Sequence, residues 1–198
     1  MNTFMNAVEN RRSIYAIGKN ISVSEDKIID VIKQALAHSP TPFNSQANRA
    51  VLLIGEDHEA LWNIVEDTLK KIVPEKNFPK TQEKLQSFKN GYGTILFFED
   101  ESVTKGLMQK FPLYQDSFPV WAMQASGMFQ YVVWTALMDM GLGANLQHYN
   151  PLIDEAVKVR WNLPNEWKLI AQMPFGELLS PAGEKEIIPV EKAFRVFR

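Results

Sequence analysis

Apolar residues recur at helical spacing in several stretches of the chain and form short, largely apolar runs in three others. Residues 3–13 place Phe4, Ala7 and Val8 on one face and predict a short helix. Ser22-Val23-Ser24-Glu25 fits a capping box with Ser22 as the N-cap, and Ile28, Ile29, Val31, Ile32, Ala35 and Leu36 then repeat at helical spacing to about Ala37. Ala50 to Ile54, Thr94 to Phe98 and Trp167 to Met173 are short apolar runs that read as buried strands. Between the first two, Asp57 is placed to cap a helix lined by Leu61, Ile64, Val65, Leu69 and Ile72. A polar helix follows over residues 81–90. Glu99-Asp100-Glu101 reads as an acidic turn entering another helix.

Residues 111–121 are irregular and aromatic, and a long apolar helix continues to Met140, where Gly141 ends it. Pro119 to Met138 is free of charge and long enough to span a bilayer. It nevertheless carries Gln124, Ser126, Gln130 and Thr135, and no lysine or arginine marks its immediate edges, which favours burial in protein. A helix is expected near residues 151–161. Residues 178–191 are rich in proline, glycine and charge and read as an extended arm. Phe194-Arg195-Val196-Phe197-Arg198 then alternates as a strand does, and such a strand needs a sheet edge, its own or a partner's. The order of elements implies one α+β or mixed α/β unit over residues 1–198, with residues 178–198 as arm and strand.

Composition narrows the chemistry. The 198 residues carry a net charge of −2, which argues against a broad nucleic-acid surface. With no cysteine, thiolate catalysis, disulfides and cysteine metal sites are excluded. Residues 1–6 lack the basic start and apolar run of a secretory signal, so the expected location is the cytoplasm.

Three stretches can hold a ligand. Ser39-Pro40-Thr41-Pro42-Phe43-Asn44-Ser45-Gln46 is a loop stiffened by two prolines. With Asn48 it offers amides and a hydroxyl beside one aromatic, which suits a flat heterocycle with polar edges. A polar connection that caps the helix is the plainer alternative. Arg11-Arg12-Ser13 can grip a phosphate with guanidinium forks and a hydroxyl, or be a solvated basic helix end. Gln147-His148-Tyr149 is a second polar loop, where a hydrogen-bonded loop histidine is the plainer reading.

Arg11-Arg12-Ser13-Ile14-Tyr15, the Ser39–Gln46 loop, Leu146-Gln147-His148-Tyr149 and the basic C-terminal strand stand in the order used by the nitroreductase family, and the chain resembles a short branch of it. The resemblance implies an α+β homodimer with a central mixed sheet, FMN at the subunit interface and the C-terminal arm crossing to the partner. It implies that Arg11, Arg12 and Ser13 meet the phosphate and ribityl end, joined by Arg195. Asn44, Ser45, Gln46 and Asn48 would lie along the flavin edge with Phe43 nearby, and Gln147, His148 and Tyr149 would face the reactive side of the ring. The implied activity passes a hydride from NADH or NADPH through FMN to nitroaromatic or quinone-type acceptors. No protein acid or base is assigned, because the flavin carries the chemistry. The alternative is an FMN-binding or flavin-sensing regulatory protein with little turnover.

Overall fold

The computed structural model of the protein describes residues 3–198. Met1 and Asn2, where the stretch without a secretory signal begins, lie outside the described residues. The elements are α1 (Thr3–Asn10), β1 (Ile17–Gly18), α2 (Glu25–His38), β2 (Asn48–Ile54), α3 (Glu56–Lys70), α4 (Phe78–Lys89), β3 (Gly93–Asp100), α5 (Glu101–Lys110), α6 (Phe118–Asp139), β4 (Leu142–Ala144), α7 (Asp154–Trp161) and β5 (Trp167–Leu178). The architecture is the expected α+β layering. The strands run in the order β1-β5-β3-β2, with β4 also on β5.

Side chains alternate across the sheet, and each face meets its own helices. Ile95, Phe97, Ala171, Met173 and Phe175 pack with Ile28 and Ile32 of α2 and Phe129, Val133 and Leu137 of α6. Leu53, Leu96, Phe98 and Leu169 pack with Leu61, Trp62 and Val65 of α3, Leu85 and Phe88 of α4, and Val157 of α7. One extra residue sits in β5: Phe97 pairs with Ala171 and Phe98 with Leu169, which leaves Ile170 as a bulge.

Several expectations are corrected. The first helix ends at Asn10 rather than at residue 13. The N-cap of α2 is Ser24, whose side chain accepts from Lys27 N. Glu25 does not reach back to Ser22; its carboxylate accepts from the Tyr92 hydroxyl at 3.1 Å. Gly55, not Asp57, caps α3, and Asp57 instead accepts from Trp161 Nε1 at 3.0 Å. Every pairing within the described chain is antiparallel, so the expected mixed sheet is not found in one chain. The alternating end, Phe194 to Arg198, has no ladder there; only a short turn at Val190–Lys192 precedes it. A strand without a neighbouring edge has nothing to donate to or accept from. No helix among the described residues is long and apolar enough to cross a membrane. Instead, α6 buries Ala122, Ala125, Phe129, Val133 and Leu137 against the sheet.

The junction of β1, β5 and the turn before β3 is the tightest point. A Cβ at Gly176 would collide with the Gly18 carbonyl oxygen and lie 2.8 Å from Tyr92 N. Both are backbone atoms and cannot swing away. Gly176→Ala should therefore destabilise the fold by about 1–3 kcal/mol or more, as overpacking does. A urea melt that matches the unmodified chain would show that this junction opens freely.

Candidate functional site

The proline loop is strained backbone braced from within. Phe43, Asn44 and Gln46 have φ of 54°, 51° and 52°, in the left-handed region. That conformation costs an ordinary L-residue roughly 1–2 kcal/mol, less for asparagine, and persists only where the surroundings hold it. Here Gln46 N donates to Thr41 Oγ1 at 3.0 Å, and Asn44 N to the Thr41 carbonyl at 3.1 Å. Arg49 completes the brace: its Nη1 donates to the carbonyls of Gln46 and Asn48 at 2.6 and 2.9 Å, and its Nη2 to Asp100 at 2.9 Å. Burial pushes the Asp100 carboxyl up, but hydrogen bonds from Ser102 and the charge of Arg49 outweigh it and hold the group below its usual range. Backbone strain of this kind clusters at active sites, ligand clamps and switch regions.

Phe43 remains more than half exposed, and its ring rests on an aromatic group from the segment before α6 and from the first turn of α6. Phe111 lies at 4.9 Å, Phe118 edge-on at 5.4 Å and Trp121 stacked at 6.4 Å. Asn48, the first residue of β2, is buried, and its Nδ2 has no hydrogen-bond partner among the described residues.

Arg11-Arg12-Ser13 follows α1 and is pinned to the far side of the sheet. Ile14 N donates to the Ala144 carbonyl at 2.9 Å, and Asn145 Nδ2 donates to the Ile14 carbonyl at 2.8 Å. The Arg11 guanidinium stands 4.4 Å above the Trp134 ring, and its Nε is buried without a partner among the described residues. Arg12 turns to the arm, where its Nη2 donates to the Gly183 carbonyl at 2.8 Å across a cavity of about 470 Å³ that Ser13 also lines.

The second loop is tied to β5. Gln147 and Gln172 exchange backbone bonds of 2.7 and 2.9 Å, and Gln147 Nε2 donates to Asn145 Oδ1 at 2.8 Å. Tyr149 N donates to Gln172 Oε1 at 2.8 Å. Burial pushes the Tyr149 phenol up to about 12, with the neighbouring Tyr15 adding to the rise. His148, between them, is exposed.

Ile14, Ala144 and Asn145 thus bring Arg11–Ser13 together with Gln147–Tyr149. The loop of Phe43, Asn44, Ser45, Gln46 and Asn48 leads into β2 at the opposite edge, with β5 and β3 between the two groups. Arg195 is exposed on the tail, and among the described residues no hydrogen bond or ion pair links it to Arg11, Arg12 or Ser13. Sequence reasoning missed the braces Arg49, Asn145 and Gln172. Gln172 carries a signal in retrospect, as an amide in the middle of the apolar run Leu169–Met173.

The residues present fit a flavin mononucleotide. Its phosphate accepts hydrogen bonds and its ring edge both accepts and donates. Among the described residues four buried side-chain groups able to donate lack a partner, Arg11 Nε, Asn48 Nδ2 and the Ser39 and Thr135 hydroxyls, and the first two stand one in each group.

Known proteins resemble the chain over nearly its whole length. The family model described as "Nitroreductase family" matches residues 8–177. The nitroreductase FRM2 of Saccharomyces cerevisiae is 35% identical over 187 residues, covering 93% of each chain. The nitroreductase CinD of Lactococcus lactis, solved with nicotinic acid, is 50% identical with a TM-score of 0.92, covering 99% of this chain and 100% of that one. Its complex with chloramphenicol matches at 49% identity and a TM-score of 0.91, with the same coverage. A Desulfovibrio desulfuricans structure solved with FMN is 18% identical with a TM-score of 0.70, covering 100% of this chain and 98% of that one, and shares the fold. The order of motifs, the α+β frame and these matches together establish that the chain belongs to the nitroreductase family.

Proposed function

We propose that the protein is an FMN-dependent oxidoreductase that works as a homodimer, its flavin held between two subunits. The observation that carries this reading is the pair of buried, unpartnered donors at opposite sides of one sheet, Arg11 Nε and Asn48 Nδ2. One flavin meets both kinds of donor if the proline loop of one subunit faces the Arg11–Ser13 side of the other. Bound FMN would supply hydride chemistry, taking electrons from NADH or NADPH and passing them to a nitroaromatic or quinone-type acceptor. The FMN complex of the Desulfovibrio fold neighbour supports the cofactor, and the chloramphenicol complex of CinD, whose ligand is a nitroaromatic, supports the acceptor class.

In this reading Arg11, Arg12, Ser13 and Arg195 hold the phosphate and ribityl end. Asn44, Ser45, Gln46 and Asn48 line the flavin edge beside Phe43. Gln147, His148 and Tyr149 border the reactive side. Tyr149, raised to about 12, stays protonated near neutrality and keeps its O–H as a donor.

The dimer reading rests on the outer face of α6. Met123, Met128, Tyr131 and Val132 are exposed there, between grooves of about 380 and 420 Å³ that share Val132 and Ala136. An apolar surface of this kind marks an interface. Two chains packed through α6, each tail adding its last strand to the partner's sheet, would bury well over roughly 2,000 Å² and act as one unit over residues 1–198 with residues 178–198 as the arm.

The test is direct. Purified protein should show the visible absorption of flavin and oxidise NADH or NADPH when a quinone or nitro compound is added. A colourless protein that takes up no FMN would end the reading. Flavin that stays oxidised under anaerobic excess NAD(P)H would instead make it a flavin-binding or sensing protein. Deleting Ala193–Arg198 should lower both dimer stability and flavin content; a monomer by sedimentation that keeps its full FMN would refute the crossed arm.

A further inference from the structure

A cavity of about 430 Å³ opens beside the second loop, lined among others by Gly127, Gln130, His148, Asn150, Lys168 and Ile170. Three features of the chain meet there. Gly127 lies inside α6, where glycine weakens a helix relative to alanine. Packing does not call for it, since a Cβ at Gly127 would meet nothing within 4 Å. The missing side chain therefore widens the cavity. Ile170 is the extra residue of the β5 bulge, and bulges commonly re-aim side chains next to active sites. Gln130 is a buried member of the lining, its Nε2 donating to Ser126 Oγ at 2.9 Å.

The charge in this cavity is one-sided. Lys168 is its cation, and no carboxylate lines it. The nearest acid, Glu101, stands off at 3.9 Å from Lys168 Nζ and is already bonded to Lys105 at 2.8 Å. With Asn150 and Gln130 as neutral hydrogen-bonding groups and Ile170 as an apolar wall, the lining suits a flat aromatic molecule carrying a negative substituent.

We propose that this cavity is the acceptor site and that Lys168 makes it prefer aromatic acceptors bearing a carboxylate or similar anionic group. The assignment rests on the flavin reading, because His148 joins the cavity to the loop proposed to border the ring. Lys168 acts by attraction to the substituent, so it sets which acceptor binds and leaves the redox chemistry to the cofactor.

The experiment compares two probes that differ only in charge, 4-nitrobenzoate and 4-nitrobenzamide. Binding to the purified protein is measured by calorimetry, and turnover by loss of NAD(P)H absorbance. The unmodified protein should bind the benzoate roughly two- to fivefold more tightly, the scale of an ion pair to a half-exposed lysine. Lys168→Ala should abolish that preference and Lys168→Glu should reverse it. Gly127→Leu, which fills the cavity, should weaken both probes, while Gly127→Ala keeps the helix and most of the room. An affinity ratio that is the same in the unmodified protein and both Lys168 variants would overturn the proposal. A protein without flavin or NAD(P)H oxidation would sink the oxidoreductase reading separately, and charge-dependent binding of the probes would still identify the pocket.

Discussion

Between pH 6.5 and about 4 the protein should lose about 3 kcal/mol of folding stability through one side chain, His58. His58 is almost wholly buried in α3. Its Nδ1 lies 2.9 Å from Thr94 Oγ1 and its Nε2 3.3 Å from the Lys89 carbonyl. A carbonyl only accepts, so Nε2 carries the proton and Nδ1 accepts from the Thr94 hydroxyl. Thr94 Oγ1 in turn accepts from Trp62 Nε1 at 3.0 Å. The neutral ring satisfies each of these groups, and a second ring proton would force the Thr94 hydroxyl to accept from Nδ1 and turn its own proton away from His58.

Burial is the largest cause that lowers the imidazole from 6.5 to about 4; the Lys89 carbonyl opposes it, and the charge of Lys19 lowers it further. The unfolded chain takes up a proton near 6.5, while the folded chain refuses it until about 4. Stability is therefore fully present above the unfolded value and falls as the pH drops through this window. Glu59, Glu66 and Glu101 also have lowered values, but theirs is a loss below the ordinary carboxylate range. Asp154, raised by burial, works in the opposite sense. Urea melts from pH 7 to 4.5 should show the loss, and His58→Gln, which keeps an acceptor and a donor, should flatten it. An equal slope in that variant would place the proton elsewhere.

The sequence discloses those elements whose pattern is long enough to declare a period. The helical repeat of α2, the charge-free run of α6 and the apolar blocks of β2 and β3 each bury side chains at a spacing that only one geometry satisfies. β1 and β4 have two and three residues, too few for any period; they are strands because β5 offers them an edge. β5 itself runs past Pro174, which reads as a stop, to Leu178. Pro174 holds its place opposite Thr94, and its carbonyl accepts from Asn145 N at 3.2 Å. The site divides in the same way. Donor types make the Ser39–Gln46 loop suit a flat heterocycle and Arg11–Ser13 a phosphate before any fold is known, each beside a plainer reading as a helix cap or a solvated helix end. The braces do not, because Arg49 acts through Asp100, Asn145 through Ile14 and Gln172 through Tyr149, partners separated by 51, 131 and 23 positions.

Arg11→Ala should weaken FMN binding at least tenfold while leaving the flavin-free protein as stable as before, or more so. The two halves of this expectation have one cause. Arg11 Nε is a buried donor without a partner among the described residues, and such a donor costs about 1–3 kcal/mol in desolvation. The Trp134 ring 4.4 Å below offsets part of this through its π face but cannot accept as an oxygen does. Alanine removes the cost along with the charge. A phosphate oxygen would repay it in full, and a charge-assisted bond contributes roughly 1.5–3 kcal/mol, which is tenfold or more in affinity. Arg11→Lys should fall between, since lysine keeps the charge but loses the planar fork and its stacking on Trp134. The measurement is the FMN dissociation constant by fluorescence quenching, set beside melting temperatures with and without FMN. FMN should raise the melting temperature of the unmodified protein, because a ligand that binds only the folded state stabilises it by mass action, and the rise should shrink in Arg11→Ala. A purely structural arginine would give the reverse, a less stable flavin-free protein with an unchanged FMN affinity, and would remove Arg11 from the site.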